Sequence, residues 1–214
     1  MHTASRLRTG RAAATLATLV LAAGLSGPVL ARDNLQPGKP APDFTATDSA
    51  GKPVTLSSLK GKTVVLEWSN DGCPYVGKHY NSGTMQKLQA DATADGAVWL
   101  TVISSAPGTQ GHVNGLEADK LTADRGAKPT AVLLDPKGAL GKLYGASTTP
   151  HMYVIDAGGM LRYMGGIDDK PSASPASLTG AKPYVREALA AIAAGKPVDP
   201  ASTRPYGCAV KYAD

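Results

Sequence analysis

Cysteine is scarce in this sequence. The 214-residue chain holds two cysteines, Cys73 and Cys208, and they are too few for a disulfide-stapled scaffold. The domain must instead be held together by the burial of apolar strands. Two cysteines would nevertheless be informative in a chain that is exported, because disulfides persist outside the cytosol.

Runs of lysine or arginine are also missing. The formal net charge is +5, and the first 31 residues hold three arginines, Arg6, Arg8 and Arg11, with no acidic residue. Without that segment the net charge falls to +2. This balance predicts no nucleic-acid partner.

Long apolar runs are absent as well. The longest, Ala12–Leu25, is short for a membrane span, which takes about 20 residues. It follows the basic residues and precedes Val29-Leu30-Ala31, a small-residue cleavage pattern. We predict a signal peptide over residues 1–31, cleavage after Ala31 and a periplasmic or secreted location without stable membrane insertion. An uncleaved anchor is the alternative.

One stretch carries most of the chemical information. Val64–Trp68 has the length and residue types of a buried strand, and Glu67 is its single carboxylate. Ser69–Gly72 is typical of a turn, and Pro74 suits the first position of a helix. Cys73 therefore lies at a strand-to-helix junction, where free N–H groups and the helix dipole stabilise a thiolate.

The pKa of Cys73 should fall only moderately. A helix end contributes about 0.3–1 kcal/mol at exposed sites, which is less than one pKa unit. Asp71 opposes the thiolate, and Lys78 is the nearest cation in the sequence, one helical turn on. The plain alternative is that Cys73 is a small buried apolar residue.

These residues resemble a known family. Strand, turn, Cys-Pro and helix are similar to the active site of thioredoxin-like redoxins, and Asn70–Val76 with Lys78–Tyr80 resembles the peroxiredoxin-like members, of the alkyl hydroperoxide reductase and thiol-specific antioxidant type. Two further segments support the resemblance, Ala41–Phe44 and Thr149–Asp156. It covers roughly residues 37 to 170.

The order of elements predicts an α/β thioredoxin-like fold. We expect a central mixed, mainly parallel sheet flanked by helices, because strands and helices alternate along the chain. An N-terminal hairpin, one helix from Pro74 to about Ala94 and an antiparallel edge hairpin complete it. The expected divisions are a signal peptide 1–31, a linker 32–42, a redoxin domain 43–195 and an extended tail 196–214 that carries Cys208.

The resemblance leaves the partner of Cys73 open. Redoxins with a dithiol motif place the second cysteine three residues after the first, where this chain has Val76, so Cys208 is the only candidate for a resolving thiol. The tail around it contains proline and glycine that would let it reach over the domain. A disulfide across so long a loop is worth roughly 5 kcal/mol in the chain-entropy model. A redox-cycling pair, a permanent staple and two unpaired thiols all stay open.

The resemblance also assigns roles around the sulfur. Glu67 lies six residues before Cys73, where thioredoxins carry a buried acid, and burial would make it a proton carrier with a raised pKa. A glutamate that reaches solvent at a strand end is the equal alternative. Pro150 should be cis, so that Thr149, Pro150 and Pro74 receive an extended peptide or thiol.

A strict peroxidase interpretation is weaker. The resemblance implies a Thr or Ser three residues before the reactive cysteine and an arginine just ahead of the strand that ends in Ile155-Asp156, where this chain has Asn70 and Pro150. Asn70 can still donate a hydrogen bond. Peroxide reduction should therefore be slow unless Arg125 or Arg162 comes in from elsewhere.

We therefore expect an exported thiol-dependent oxidoreductase with Cys73 as nucleophile and Cys208 as resolving cysteine. Its partners would be an external thiol reductant or a disulfide-bearing protein, with peroxide as a second substrate, and no bound cofactor is implied. The alternative is a redox-inactive binding or metal-carrier module with a structural Cys73–Cys208 disulfide. In that alternative His79 and His151 would join Cys73 as metal ligands. Otherwise His79 suits a helix surface and His151 the start of a strand.

Overall fold

The structure is a computed structural model that describes residues 1, 2, 4 and 35–213. The chain divides into a unit of residues 1–31 and a unit of residues 32–214, and the described strands and helices belong to the second unit. Most of the predicted signal peptide, its cleavage position at Ala31 and the start of the predicted linker lie outside the described residues. Within the described part of the chain, no helix is both long enough and apolar enough for a membrane span.

Nine strands within residues 35–213 form two sheets. In chain order they are β1 (Thr45–Asp48), β2 (Pro53–Thr55), β3 (Val64–Trp68), β4 (Val98–Ile103), β5 (Ala131–Leu134), β6 (Thr148–Thr149), β7 (His151–Ile155), β8 (Leu161–Gly165) and β9 (Cys208–Ala209). The central sheet has the order β2-β1-β5-β4-β3-β7-β8, and β6 pairs with β9 in a small second sheet. The predicted strand before Cys73 is thus flanked on both sides inside the large sheet.

The central sheet is mixed, as predicted, but it is not mainly parallel. Among the described strands only the β3–β4 and β4–β5 pairs are parallel, and the other four pairings of this sheet are antiparallel. The thioredoxin-like α/β fold is confirmed, and the expectation of a mainly parallel sheet was wrong. Strand–helix alternation reveals the two helical crossovers, but it does not show that β7 and β1 enter the sheet in the opposite direction.

Five α-helices and two short 3₁₀ helices of the described chain surround the sheet. The α-helices are α1 (Pro74–Asn81), α2 (Thr84–Ala94), α3 (Gly115–Asp124), α4 (Ala139–Leu143) and α5 (Tyr184–Ala193), and the 3₁₀ helices are Leu56–Leu59 and Pro175–Leu178. A hydrophobic core lies on each face of the central sheet. Because side chains alternate along β3, Leu66 packs into one core and Val65 into the other. Helices α1, α2 and α5 cover the Val65 face, so the Cys73 helix is fixed by the core beneath it.

The single helix predicted from Pro74 to about Ala94 was wrong. It is divided at Gly83, whose φ of 74° lies in the left-handed region, so that α1 ends at Asn81 and α2 begins at Thr84. Glycine adopts this conformation without the steric cost that other residues meet. Trp68 and Trp99 are both fully buried in core strands, as predicted.

The C-terminal tail returns to the Cys73 end of the sheet. Strand β9 pairs with β6 in antiparallel register, with Cys208 opposite Thr149. Gly207 has a φ of 140°, and a Cβ at this position would overlap the Thr149 carbonyl. Glycine is therefore required for the tail to approach β6 this closely.

Candidate active site

Cys73 caps the first turn of α1. Its backbone is extended, with φ −75° and ψ 118°, and Pro74 occupies the first helical position as predicted. The Gly77 N–H donates to the Cys73 carbonyl at 2.8 Å, which begins the helix at this residue. The sulfur thus lies at the N-terminal end of α1, where free N–H groups favour negative charge.

The second cysteine lies directly against the first. Cys73 Sγ is 2.7 Å from Cys208 Sγ and 3.2 Å from the Thr149 carbonyl oxygen, and both cysteines are free thiols. Cys73 is only 2% exposed, whereas Cys208 is half-buried. The tail that brings Cys208 is therefore part of what covers Cys73. A disulfide bond measures about 2.05 Å, so an oxidant that removes two electrons could join the two sulfurs with only a small shift.

The two thiols differ in acidity. Burial is the largest influence on Cys73 and opposes its ionisation, but the neighbouring Cys208 and backbone N–H groups outweigh it, so that the pKa of Cys73 is lowered. Burial and the adjacent Cys73 raise the pKa of Cys208 to about 11. The predicted direction for Cys73 is confirmed. Of the two thiols, Cys73 is therefore the one that ionises more readily.

The Thr149–Pro150 peptide bond is cis, as the resemblance implied. Thr149 is buried beside the sulfur, and its hydroxyl oxygen has no hydrogen-bond partner among the described residues. A second cis bond, Asp199–Pro200, was not predicted. The sequence predicts that the Thr149 backbone binds an extended peptide, but in the structure Cys208 of the tail already pairs with Thr149.

Glu67 is fully buried, which excludes the alternative in which it reaches solvent. Its carboxylate accepts four hydrogen bonds from neighbouring side chains: Tyr80 Oη at 2.8 Å, Gln89 Nε2 at 3.0 Å, Trp99 Nε1 at 2.8 Å and Thr101 Oγ1 at 3.2 Å. Burial, the largest influence, raises the pKa of Glu67 despite these donors. Cys73 is not among the hydrogen-bond partners of Glu67 in the described chain. Glu67 is linked to the Cys73 helix, α1, by the hydrogen bond from Tyr80.

Asn70 does not offer a free donor to the sulfur. Its amide nitrogen donates to Ser105 Oγ at 3.2 Å and to the Gln110 carbonyl at 2.9 Å. Its amide oxygen is buried and has no partner among the described residues. Gly111 leaves room for this amide, since a Cβ there would overlap it. Asn70 therefore orders the loop after β4 against the Cys73 turn.

The two arginines considered for a peroxide site bind elsewhere. Arg125 donates to Asp71 Oδ1 at 2.7 Å and lies over the Tyr80 ring, 4.5 Å from its centroid. Arg162 pairs with Asp156 at 3.4 Å. Among the contacts of the described residues, neither guanidinium meets Cys73. Arg125 does offset the negative charge of Asp71, which the sequence had set against the thiolate.

Sequence reasoning missed a buried polar cluster behind the site. Lys78 and Asp168 form a buried ion pair at 3.4 Å, and Tyr206 donates from the tail to Asp168. His79 is fully buried beside them, so its assignment to the helix surface was wrong. Burial, the main cause, lowers the pKa of His79 to about 4. Helical spacing could have indicated the burial of His79, three residues after Val76, but not that of Lys78, two residues after it.

His151 begins β7, as predicted, and it is buried. Burial lowers its pKa to about 4, and its Nδ1 lies 3.2 Å from Tyr153 Oη. Among the residues that the structure describes, no group of three or more His, Cys, Asp or Glu side chains is arranged to hold a metal ion.

Comparison with known proteins places this arrangement in a family. The AhpC/TSA family model matches residues 37–164, which is more than half of the chain. The chain belongs to the AhpC/TSA family. This confirms the predicted resemblance over nearly the same residues, and membership in the AhpC/TSA family supports an oxidoreductase function in general terms.

Two solved structures are similar to this AhpC/TSA chain over most of its length. An uncharacterized conserved protein from Geobacillus kaustophilus is 25% identical, with 85% of this chain and 94% of that chain covered and a TM-score of 0.71. A hypothetical protein from Sinorhizobium meliloti is 21% identical, with 85% and 97% covered and a TM-score of 0.70, which shows the fold alone. No curated protein matches the chain in sequence.

Proposed function

We propose that this AhpC/TSA protein is an exported thiol-dependent oxidoreductase that carries out thiol–disulfide exchange. Cys73 is the nucleophile and Cys208 the resolving cysteine. The observation that supports this most strongly is the 2.7 Å separation of the two sulfurs at the N-terminal end of α1. The lowered pKa of Cys73 and the raised pKa of Cys208 support the two roles in that order.

The exchange balances without a bound cofactor. The Cys73 thiolate attacks one sulfur of an external disulfide, whose S–S bond breaks and releases one thiolate. A mixed disulfide with Cys73 remains. Cys208 then attacks the Cys73 sulfur, and the second departing thiolate takes up the proton that Cys208 loses. Two protein thiols are oxidised and one external disulfide becomes two thiols; an external thiol reductant drives the reverse reaction.

Peroxide reduction is a second candidate, favoured by the family match. Here the Cys73 thiolate would attack one peroxide oxygen, giving a sulfenic acid and water or an alcohol, and Cys208 would convert the sulfenic acid to the disulfide with release of water. The donors of Asn70 are engaged by Ser105 and Gln110. Arg125 is engaged by Asp71. We therefore propose that peroxide is reduced slowly.

Thiol counting by mass tests the proposal. The reduced mature chain is treated with one equivalent of oxidised glutathione or hydrogen peroxide, quenched with acid and alkylated. The wild type should lose both thiols to an internal disulfide. Cys208→Ser should stop at a mixed disulfide with glutathione, or at a sulfenic acid with peroxide. Cys73→Ser should react more slowly, because burial, the largest cause of the raised Cys208 pKa, remains.

Two results would speak against the proposal. Unreacted thiols in the wild type would favour the redox-inactive module. A disulfide that forms but resists reduction by millimolar glutathione would favour a permanent staple, since structural disulfides are thermodynamically resistant to that couple.

A further inference from the structure

Lys78 is buried on α1, which is rare for lysine unless its charge is paired. Its ammonium group uses three acceptors: Asp168 Oδ2 at 3.4 Å, the Lys170 carbonyl at 2.9 Å and Tyr206 Oη at 3.1 Å. An ammonium group has three hydrogens to donate, so these three partners satisfy it. Two of them come from the segment after β8, and the third comes from the C-terminal tail.

Tyr206 joins the tail to this ion pair through both its hydroxyl and its ring. The hydroxyl donates to Asp168 Oδ1 while it accepts from Lys78. The ring lies 5.0 Å from Lys78 Nζ and packs edge-on against Tyr75 at a centroid distance of 6.0 Å. We name Lys78, Asp168 and Tyr206 the tyrosine anchor.

Tyr206, the tail residue of the tyrosine anchor, is two residues before Cys208. Two residues span at most about 7 Å, so a fixed Tyr206 leaves Cys208 little freedom. Between them Gly207 packs against the Thr149 carbonyl, and Cys208 pairs with Thr149 in the small sheet. Side-chain anchoring on one side of Cys208 and strand pairing at Cys208 itself therefore fix where its sulfur lies.

We propose that the tyrosine anchor positions the resolving cysteine, by locking the tail over Cys73 so that closure of the disulfide is favoured and access by outside reagents is restricted. The inference rests on the proposed function. Among the hydrogen bonds of the described residues, none joins Lys78, Asp168 or Tyr206 to either sulfur, so they are positioning residues that act through the tail.

Tyr206→Phe is the cleanest variant. It keeps the ring, and it leaves Asp168 Oδ1 with a second donor, the Lys170 N–H at 2.8 Å. Lys78 keeps Asp168 and the Lys170 carbonyl. Changing Lys78 or Asp168 instead would leave an uncompensated buried charge and risk unfolding the protein.

The first measurement is the equilibrium with glutathione. Wild type and Tyr206→Phe are equilibrated over a series of reduced-to-oxidised glutathione ratios, quenched with acid and resolved by mass into dithiol, mixed disulfide and internal disulfide. We expect the equilibrium constant for internal disulfide formation to fall roughly tenfold in Tyr206→Phe, which corresponds to about 1.4 kcal/mol. The Cys73–glutathione mixed disulfide should accumulate, because Cys208 is held less firmly beside it.

Tyr144→Phe is the matched control. Its hydroxyl donates to the Pro42 carbonyl at 2.7 Å, away from the anchor and from both cysteines. Like Tyr206→Phe, Tyr144→Phe removes one hydrogen-bonded tyrosine hydroxyl, so it shows what a loss of stability alone does to the equilibrium. We expect its glutathione equilibrium to match the wild type within about twofold, the scatter of such a comparison.

A second measurement does not depend on turnover. In a Cys208→Ser background, the alkylation rate of Cys73, extrapolated to full thiolate, should rise at least severalfold when Tyr206→Phe is added, because the tail uncovers the sulfur more often. Unchanged alkylation and an unchanged glutathione equilibrium would overturn the tyrosine anchor. Failure of the wild type to form any internal disulfide would instead overturn the proposed function, and the alkylation rates would still decide the anchor.

Discussion

Glu67 shows at the residue scale how burial and hydrogen bonding oppose each other. Four donors surround its carboxylate, yet the loss of water dominates and raises its pKa. The folded state therefore prefers the protonated carboxyl more than the unfolded chain does. Its contribution to stability is fully present below the unfolded pKa and is lost as pH rises through the higher folded pKa.

Replacing Glu67 tests this sign. The unfolding free energy of wild type and Glu67→Gln is measured by urea between pH 4 and 8. Relative to Glu67→Gln, the wild type should lose stability as pH rises, by at most about 1.4 kcal/mol per pH unit for one proton. A difference that does not vary with pH would contradict the raised pKa. Other titrating groups cancel in this comparison.

The break between α1 and α2 belongs to the element scale. Gly83 stands between them with φ 74° and nothing near the place of a Cβ, so a side chain there would meet backbone strain alone. Gly77 lies inside α1 at ordinary helical geometry, and a Cβ there would meet Asn81 at 3.6 Å, an ordinary contact. Only the tertiary structure distinguishes these two glycines.

Replacing these two glycines with alanine should therefore change the unfolding free energy in opposite directions. Gly83→Ala should lower the unfolding free energy by about 1 kcal/mol, the cost of a left-handed residue with a Cβ. Gly77→Ala should raise it by about 0.5–1 kcal/mol, because glycine is costly in a helix interior. Urea unfolding of both variants measures this. Equal effects would mean that the helix is continuous through Gly83.

Export is a prediction about the whole molecule, and it depends on residues 1–31 of the sequence alone. Expressed with its own N-terminus in a Gram-negative host, the chain should be recovered from the periplasm beginning at Arg32, as intact mass would show. Ala31→Trp should remain uncleaved, because a large residue blocks the cleavage pattern. A full-length wild-type chain in the membrane fraction would support the uncleaved anchor instead.

The sequence by itself determined the family, through the resemblance of its motifs, and also the buried β3 strand, the helix that Pro74 opens and the place of Cys73 at their junction. The strand, the helix start and the junction depend on local preferences, namely β-branched residues in a strand and proline at a first helical position. Local preferences act between near neighbours, so a single sequence is enough to reveal them. The direction of the Cys73 pKa agrees with the expectation from this junction, but the largest cause that lowers it is Cys208, a contact from the tail.

Only the tertiary structure decided what meets this junction from far along the chain. It put Cys208 against Cys73, engaged Asn70 and Arg125 elsewhere, and buried Lys78 with Asp168 and the tail tyrosine, Tyr206. It also turned most pairings of the sheet antiparallel. These contacts join residues far apart in sequence, and their energy depends on packing and desolvation, which no local pattern encodes.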